Sequence, residues 1–358
     1  MINNVVFENF RGFEKMELSK LRPITLISGR NNVGKSSILE GIFLFFDHVS
    51  PESFAKINQF RGIALASDSV NLWESAFYQM DTTKTMRIYL EDDGIPSMLE
   101  YERDESFVPA NDINVPQEMM NQIISSAKSL YTLKFCYEKK DYLENGHFIV
   151  GPMGMFRSVS TTLEHDQIDR MTFTQYINAA IINSGSLHSI VEWFGKLELE
   201  GKKQQIINIL QFMEPMITDL STIVVNGQVQ LYAKMGGQLL PLRLAGDGVN
   251  KLLFILLSMI ANPHSIILID EIETGFHYSM FPKLWETIAQ ATYESGCQVI
   301  ATTHSYECIV GAIDGVESAQ RKSDFCYLRV DKIDDKNRAY WYSDDLLQTA
   351  IATDMEVR

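Results

Sequence analysis

Residues 29–36 read Gly29-Arg30-Asn31-Asn32-Val33-Gly34-Lys35-Ser36, the pattern G-x-x-x-x-G-K-[ST] with every position filled. The flanks are those the pattern needs. The apolar run Ile24-Thr25-Leu26-Ile27 predicts a buried strand, and Ser37-Ile38-Leu39-Glu40-Gly41-Ile42-Phe43 predicts a helix. A loop between them aims successive backbone N–H groups, and the positive end of a helix dipole, at a phosphate chain. In such a loop Lys35 reaches the outer phosphates and the Ser36 hydroxyl ligates Mg²⁺.

The second half carries a matching signal. Ser265-Ile266-Ile267-Leu268-Ile269 is an apolar strand that ends in Asp270-Glu271. Unpaired charges buried at a strand end cost several kcal/mol. The acids make sense if Asp270 faces a magnesium shell and Glu271 polarises an attacking water, the roles phosphoryl transfer requires. Ile272-Glu273-Thr274-Gly275-Phe276-His277 follows, then a helix over 279–293, then the strand Gln298-Val299-Ile300-Ala301-Thr302-Thr303-His304-Ser305. One strand past the acids, His304 is placed to contact a γ-phosphate. Upstream, Leu244-Ala245-Gly246-Asp247-Gly248-Val249-Asn250 puts two glycines at the start of a helix that includes 251–259, a second anion-ready terminus. One nucleotide does not need two such termini from one chain. Two chains facing head to tail do.

The 358 residues, 46% hydrophobic, suffice for a large α/β domain with an insertion. Met1-Ile2-Asn3-Asn4-Val5-Val6-Phe7 enters strand-like sequence directly, with no leader, and no apolar run reaches membrane-spanning length; 252–260 is a buried helix instead. Four cysteines (Cys136, Cys297, Cys308, Cys326) without paired spacing fit a reduced, cytoplasmic chain. A net charge of −15 argues against bulk electrostatic wrapping of nucleic acid, although a local basic groove is compatible with it.

In chain order, strands are expected at 3–7 and 15–18 around the turn Phe10-Arg11-Gly12-Phe13-Glu14, at 86–90 ending in Asp92-Asp93-Gly94, and at 131–137 and 147–150 around Glu144-Asn145-Gly146. Further structure is expected over 70–77. The polar, proline-containing 93–116 reads as the least ordered stretch. From 173 to 216 the pattern turns helical, with Tyr176, Ile177, Ala180 and Ile181 on one face and Ile206, Ile207, Leu210 and Met213 on another. Ser221–Val225, Asn226-Gly227 and Gln228–Tyr232 form a hairpin, and 326–330 and 340–342 are strand-like. The expected division is an N-terminal lobe with the phosphate loop over 1–115, a mostly helical insertion over 116–216, and a C-terminal lobe over 217–358.

The order of phosphate loop, glycine-rich helix start, Ile-Leu-Ile-Asp-Glu and Thr-Thr-His-Ser resembles the ABC-type ATPases. More narrowly, Asn9-Phe10-Arg11-Gly12-Phe13, Gly-Arg-Asn-Asn-Val-Gly-Lys-Ser-Ser and Asp-Glu-Ile-Glu-Thr-Gly-Phe-His look like the bacterial SMC-like, RecF-like and OLD-like branch. The resemblance covers 1–47 and about 237–313. It implies an α/β ABC-type P-loop ATPase head with a mixed sheet, an N-terminal antiparallel β element and a helical insertion. It implies ATP and Mg²⁺, with Gly29, Asn31, Asn32, Gly34, Lys35, Ser36 and Ser37 around the nucleotide, Ser36 and Asp270 on the metal, Glu271 as catalytic base and His304 as switch histidine. Gly246, Asp247 and Gly248 match the signature segment that acts on a partner's ATP, and Arg11 matches an arginine that points toward the nucleotide in relatives.

Two departures stand out. Ala245 replaces the usual signature serine, and the magnesium-sensing glutamine has only Gln59 and Gln79 as candidates. OLD-like proteins continue into a Toprim nuclease, whereas no acidic cluster of that type follows the ATPase core here. The expected function is an ATPase that forms a homodimer or higher oligomer around composite ATP sites and regulates a separately encoded effector, a nuclease or toxin, in anti-phage defence, with no membrane role. The alternatives are a RecF-like ATPase clamping DNA and an ATP-stabilised scaffold with little turnover.

Overall fold

The computed structural model describes residues 1–63, 73–104, 131–151, 154–161, 174–177 and 187–353. They gather into two compact units, the first formed by Met1–Leu21, Asn32–Met171 and Val330–Tyr340, the second by Arg22–Asn31, Thr172–Arg329 and Trp341–Arg358.

The first unit is built on an antiparallel sheet. β1 (Ile2–Phe10) turns into β2 (Phe13–Leu18) and also pairs β4 (Met86–Asp92). β5 (Ile95–Arg103), β6 (Tyr131–Lys139), β7 (Tyr142–Gly151) and β8 (Gly154–Thr161) follow, in the spatial order β2-β1-β4-β5-β6-β7-β8. Alternation of buried and half-buried residues along β1 and β4 gives the sheet one apolar face. Helix α1 (Lys35–Phe46) lies against that face, and α2 (Ser53–Gln59) follows it. The close approach is set by Gly41, where an added Cβ would stand 2.4 Å from the Phe7 ring. Phe7, Phe10 and Phe13 stack at 5.7 and 6.0 Å and are fully buried, each contributing about 1.5–3 kcal/mol of hydrophobic stabilisation.

The second unit holds a sheet in which β15 (Phe325–Ile333), β3 (Ile24–Ser28), β14 (Gln298–Thr302), β13 (Ile266–Ile269) and β9 (Thr174–Ile177) run parallel, neighbour to neighbour, with β16 (Lys336–Tyr342) beyond β15. β3, β13 and β14 are buried at every position, as strands covered on both faces must be. A second, small sheet consists of β10 (Ile217–Val225), β11 (Gln228–Met235) and β12 (Gln238–Pro241). Helices α3 (Leu187–Leu199), α4 (Lys203–Leu210), α5 (Asp247–Ala261), α6 (Phe281–Ser295), α7 (Tyr306–Ser318) and α8 (Asp344–Ala352) complete the unit. Its core joins Phe194, Leu197, Ile206 and Leu210 to Leu253, Leu257, Leu284, Trp285 and Val299.

The hairpin expected at Asn226-Gly227 forms with both residues at positive φ, and the strand expected to end at Asp92-Asp93-Gly94 turns there, with Asp93 and Gly94 both at positive φ, into another strand. Several expectations are corrected. Residues 95–103, read as unordered, are β5, which a strand on each side completes. The turn of the next hairpin falls at Lys140-Asp141, and Glu144-Asn145-Gly146 runs straight through β7. Gly146 is small there because the Phe135 ring crosses it, only 2.6 Å from where a Cβ would sit. Tyr176 and Ile177 belong to a strand, since parallel pairing with β13 supplies hydrogen bonds that a helical pattern alone does not reveal. The described residues of 116–216 carry β6 to β9 before the helices α3 and α4, and the two units interleave along the chain. Ala180, Ile181 and residues 70–72 lie outside the described residues.

Candidate functional site

In the second unit the parallel strands bring their carboxyl ends together, where open α/β sheets place their ligands. β3 leads into Gly29 at φ 146°. β13 leads into Asp270 and Glu271, and β14 into Thr303 and His304. Backbone bonds lock these ends in register: Asp270 N–H donates to Ile177 O at 2.9 Å, Ile272 N–H to Thr302 O at 3.0 Å and Thr303 N–H to Ile27 O at 2.9 Å.

The acids are held by neighbours that sequence reasoning did not link to them. The Thr302 hydroxyl donates to Asp270 Oδ1 at 2.6 Å and accepts the Glu271 backbone N–H at 2.9 Å. The Tyr176 hydroxyl reaches Asp270 Oδ2 at 3.2 Å. Glu271 itself is exposed, with Thr274 Oγ1 3.4 Å from its Oε2. One carboxylate turned to water beside a second held by hydroxyls suits a division of labour between base and metal ligand. Exposed His304 has Nδ1 2.9 Å from Glu273 Oε1.

The glycine-rich helix start lies in the same unit. Gly246, at φ 101°, caps α5 and is exposed with Asp247, while Gly248 is buried. A Cβ on Gly248 would stand 2.4 Å from Gly275 O, so the start of α5 packs backbone to backbone on the loop that follows the acids. Lys251, one turn further on, is 3% exposed and donates from Nζ to Glu271 O at 2.6 Å and to Thr274 O at 3.4 Å. Burial pulls its pKa down to about 8, against the opposing pull of Glu273, Asp270 and Glu271.

In the first unit the phosphate loop ends in Asn32 at φ 66° and Gly34 at φ 94°, and α1 begins at Lys35. Gly34 is required twice over. Its φ suits glycine, and a Cβ would lie 2.5 Å from the Phe13 ring. No side chain caps the start of α1, so its first N–H groups have no partner from a capping residue. Asn31 and Asn32 are exposed, Lys35 and Ser36 half-buried, and Ser37 buried with its hydroxyl accepting from Arg61 at 2.9 Å. Asn337 donates to Val33 O at 2.9 Å and fixes the loop's middle.

Arg11 turns inward. Its Nε donates to Glu40 Oε2 at 2.9 Å, NH1 to Ser75 O at 2.9 Å and NH2 to Asn58 Oδ1 at 3.1 Å, with 7% of the side chain exposed. It forms a buried ion pair under α1, where Glu40 on that helix needs a cation. Gln59 and Gln79 are both exposed; Gln79 sits at φ 55° with its amide on Tyr78.

Comparison with known proteins agrees with this arrangement. Residues 1–153 match the family model "AAA ATPase domain" and residues 156–309 the model "AAA domain, putative AbiEii toxin, Type IV TA system". Among solved structures, an SMC head bound to the C-winged helix domain of ScpA aligns over 97% of this chain and 99% of its own, with TM-score 0.52 and 14% identity. An Smc head domain with an extended coiled coil, bound to the C-terminal domain of ScpA derived from Pyrococcus furiosus, aligns over 98% of each chain, with TM-score 0.50 and 12% identity. The chain is a P-loop ATPase with the fold of an SMC head. A Helicobacter pylori protein named ATP/GTP phosphatase is 22% identical to the ATPase over 348 residues, 91% of this chain and 90% of its own. An uncharacterized protein of Methanocaldococcus jannaschii is 47% identical over 45 residues, 13% of this chain and 20% of its own.

Among the described residues of the ATPase, no group of three or more His, Cys, Asp or Glu side chains could cage a metal, and no helix is long and apolar enough to cross a membrane. The donor set is the kind that suits Mg²⁺, which keeps waters and substrate oxygens and takes only one or two protein ligands. The missed residues Lys251, Glu273, Thr302 and Tyr176 left one trace in the sequence: Lys251 is the charge that opens the otherwise apolar 252–257.

Proposed function

We propose that the ATPase works as an assembly in which two copies close head to tail around ATP and Mg²⁺, and that this closure controls a separately encoded effector. The exposed Gly246-Asp247 cap of α5, offered to a neighbour while Gly248 is packed on the loop after Glu271, carries the reading. Lys35 and the loop N–H groups hold the phosphates, Ser36 and Asp270 hold the metal, Glu271 orients water, and His304 meets the γ-phosphate. When bound there, Mg²⁺ would supply charge neutralisation to the phosphates. Gly246, Asp247 and Gly248 complete the site of the facing copy. The toxin–antitoxin wording of the model matched by 156–309 supports a defence setting, and the naming of the H. pylori relative makes GTP a substrate to test beside ATP.

The decisive experiment is light scattering with ATP, ADP or GTP on wild type, Glu271→Gln and Lys35→Ala. Glu271→Gln should accumulate as an ATP-dependent closed assembly with turnover lost, and Lys35→Ala should stay apart. A Glu271→Gln protein that hydrolyses at the wild-type rate, or a wild-type monomer that turns over at full speed, overturns the reading.

A further inference from the structure

Glu271 sits at φ 47°, in the left-handed region that side chains other than Gly, Asn and Asp rarely enter. Such a conformation persists where the surroundings over-determine it. Here a side chain reaches each polar group of the residue's backbone, and the C=O also accepts the Thr274 backbone N–H at 3.0 Å. Its N–H goes to Thr302 Oγ1 at 2.9 Å and its C=O receives Lys251 Nζ at 2.6 Å. Thr302 is fully buried and spends its own proton on Asp270 Oδ1, so toward Glu271 it can only accept. Lys251 rises from the first turns of α5, the helix that Gly246 caps. An apolar side chain would fill its buried position without the desolvation that an ammonium suffers there. What the ammonium adds is its grip on the carbonyls of Glu271 and Thr274.

We infer that Lys251 and Thr302 are positioning residues for Glu271, clamping its peptide so that the direction of its carboxylate is set from the signature helix of the same chain. The start of α5 and the loop 271–275 touch at Gly248 against Gly275 and again at Lys251 against Glu271, so they move as one piece. Engagement of the Gly246 cap by a facing copy is thereby carried to the base without a separate hinge. The inference rests on the reading of Glu271 as base and adds what holds it.

The test compares full-length wild type, Lys251→Met, Lys251→Arg, Thr302→Val and Thr302→Ser, each with and without Glu271→Gln. The readouts are affinity for a fluorescent ATP analogue, steady-state turnover and thermal melting. Lys251→Met and Thr302→Val should bind the analogue within about twofold of wild type while turnover falls on the order of 10–100-fold, the usual loss when support behind a functional group is removed. Thr302→Ser, which keeps the hydroxyl, should recover most of the turnover. On the Glu271→Gln background Lys251→Met should not lower the residual rate further, because groups acting through one residue are not additive. Thr302→Val also frees Asp270 Oδ1, so it is compared only with Thr302→Ser. Wild-type turnover in Lys251→Met and Thr302→Val, or an equal loss from Lys251→Met with and without Glu271→Gln, overturns the clamp. Absent turnover in wild type, or normal turnover in Glu271→Gln, instead overturns the reading of the base. Should Lys251→Met fail to fold, Lys251→Arg, with its altered reach to the two carbonyls, takes its place in the same comparison.

Discussion

Glu273 holds His304 at two points: its Oε1 accepts the His304 backbone N–H at 2.8 Å and stands 2.9 Å from the ring Nδ1. The carboxylate is 9% exposed and the imidazole 51%. A carboxylate that accepts from both the backbone N–H and the ring Nδ1 fixes the orientation of the imidazole. Glu273→Gln keeps the size of the side chain but removes its charge and with it the stronger hold on the ring. Turnover should fall about tenfold or more with little change in nucleotide affinity, as for other residues that orient a functional histidine. The double variant with His304→Ala should be no slower than His304→Ala alone. If the two losses multiply in steady-state assays, the residues act separately and the coupling is refuted.

Gly34 connects the N-terminal turn to the phosphate loop. Its φ of 94° and the Phe13 ring 2.5 Å from a Cβ position give Gly34→Ala two independent penalties. The backbone strain alone is worth about 1–3 kcal/mol. Gly34→Ala should lower the melting temperature and abolish the thermal protection given by ATP. Adding Phe13→Leu relieves the clash but not the strain, so the double variant should recover melting only in part. A thermal-shift titration in which Gly34→Ala binds ATP like wild type would show that the loop tolerates a side chain there.

Glu40 is a buried anion of the first unit, 1% exposed, between Arg11 Nε at 2.9 Å and Arg61 Nε at 2.6 Å. Glu40→Leu strands the Arg11 guanidinium, and breaking a buried pair from one side costs about 3–5 kcal/mol. Removing both charges with Arg11→Met and Glu40→Leu should cost clearly less. Arg61 is 40% exposed, and its removal should have a smaller effect. Urea unfolding distinguishes these cases. A loss below about 1 kcal/mol for Glu40→Leu would place it among ordinary surface pairs.

Much of this architecture could be read from residue chemistry alone, and the misreadings share a cause. Gly29 to Ser36 and the strand before Asp270 were legible because the chemistry dictates both residue types and spacing. The turn at Asn226-Gly227 was legible because few residues accept positive φ in succession, while the hairpin at Asp93-Gly94 was hidden by the polar residues of its second strand. Asn145-Gly146 looks the same locally, yet the pairing register carries it through mid-strand, where Gly146 leaves room for the Ser158 carbonyl and the Phe135 ring. Tyr176 and Thr302 serve Asp270 from other strands, a relation that pairing creates and no local spacing announces. Arg11 was recognised by its motif, but its partner Glu40 lies 29 positions away on a helix whose apolar pattern gave no reason to expect a buried ion pair.

His48 gives the first unit a built-in acid sensitivity. It is 5% exposed, stacks on Tyr137 with centroids 4.1 Å apart, and has Nδ1 2.6 Å from Phe45 O, which fixes the neutral ring with its proton on that nitrogen. Burial, helped by the nearby Arg157 charge, lowers its pKa from 6.5 to about 4. The unfolded chain therefore binds a proton below pH 6.5 that the folded chain refuses until about pH 4. Stability supplied by the neutral ring is intact above pH 6.5 and drains away as the pH falls toward 4, by about 3 kcal/mol in all at 1.36 kcal/mol per pH unit. His48→Gln, which can still donate to Phe45 O but does not titrate, should lose about 1 kcal/mol at pH 8 through poorer packing and a weaker hydrogen bond yet decline less between pH 6.5 and 4. Urea unfolding at pH 8, 6 and 4.5 measures the difference. Parallel pH profiles for the two proteins would show that the acid sensitivity comes from other groups.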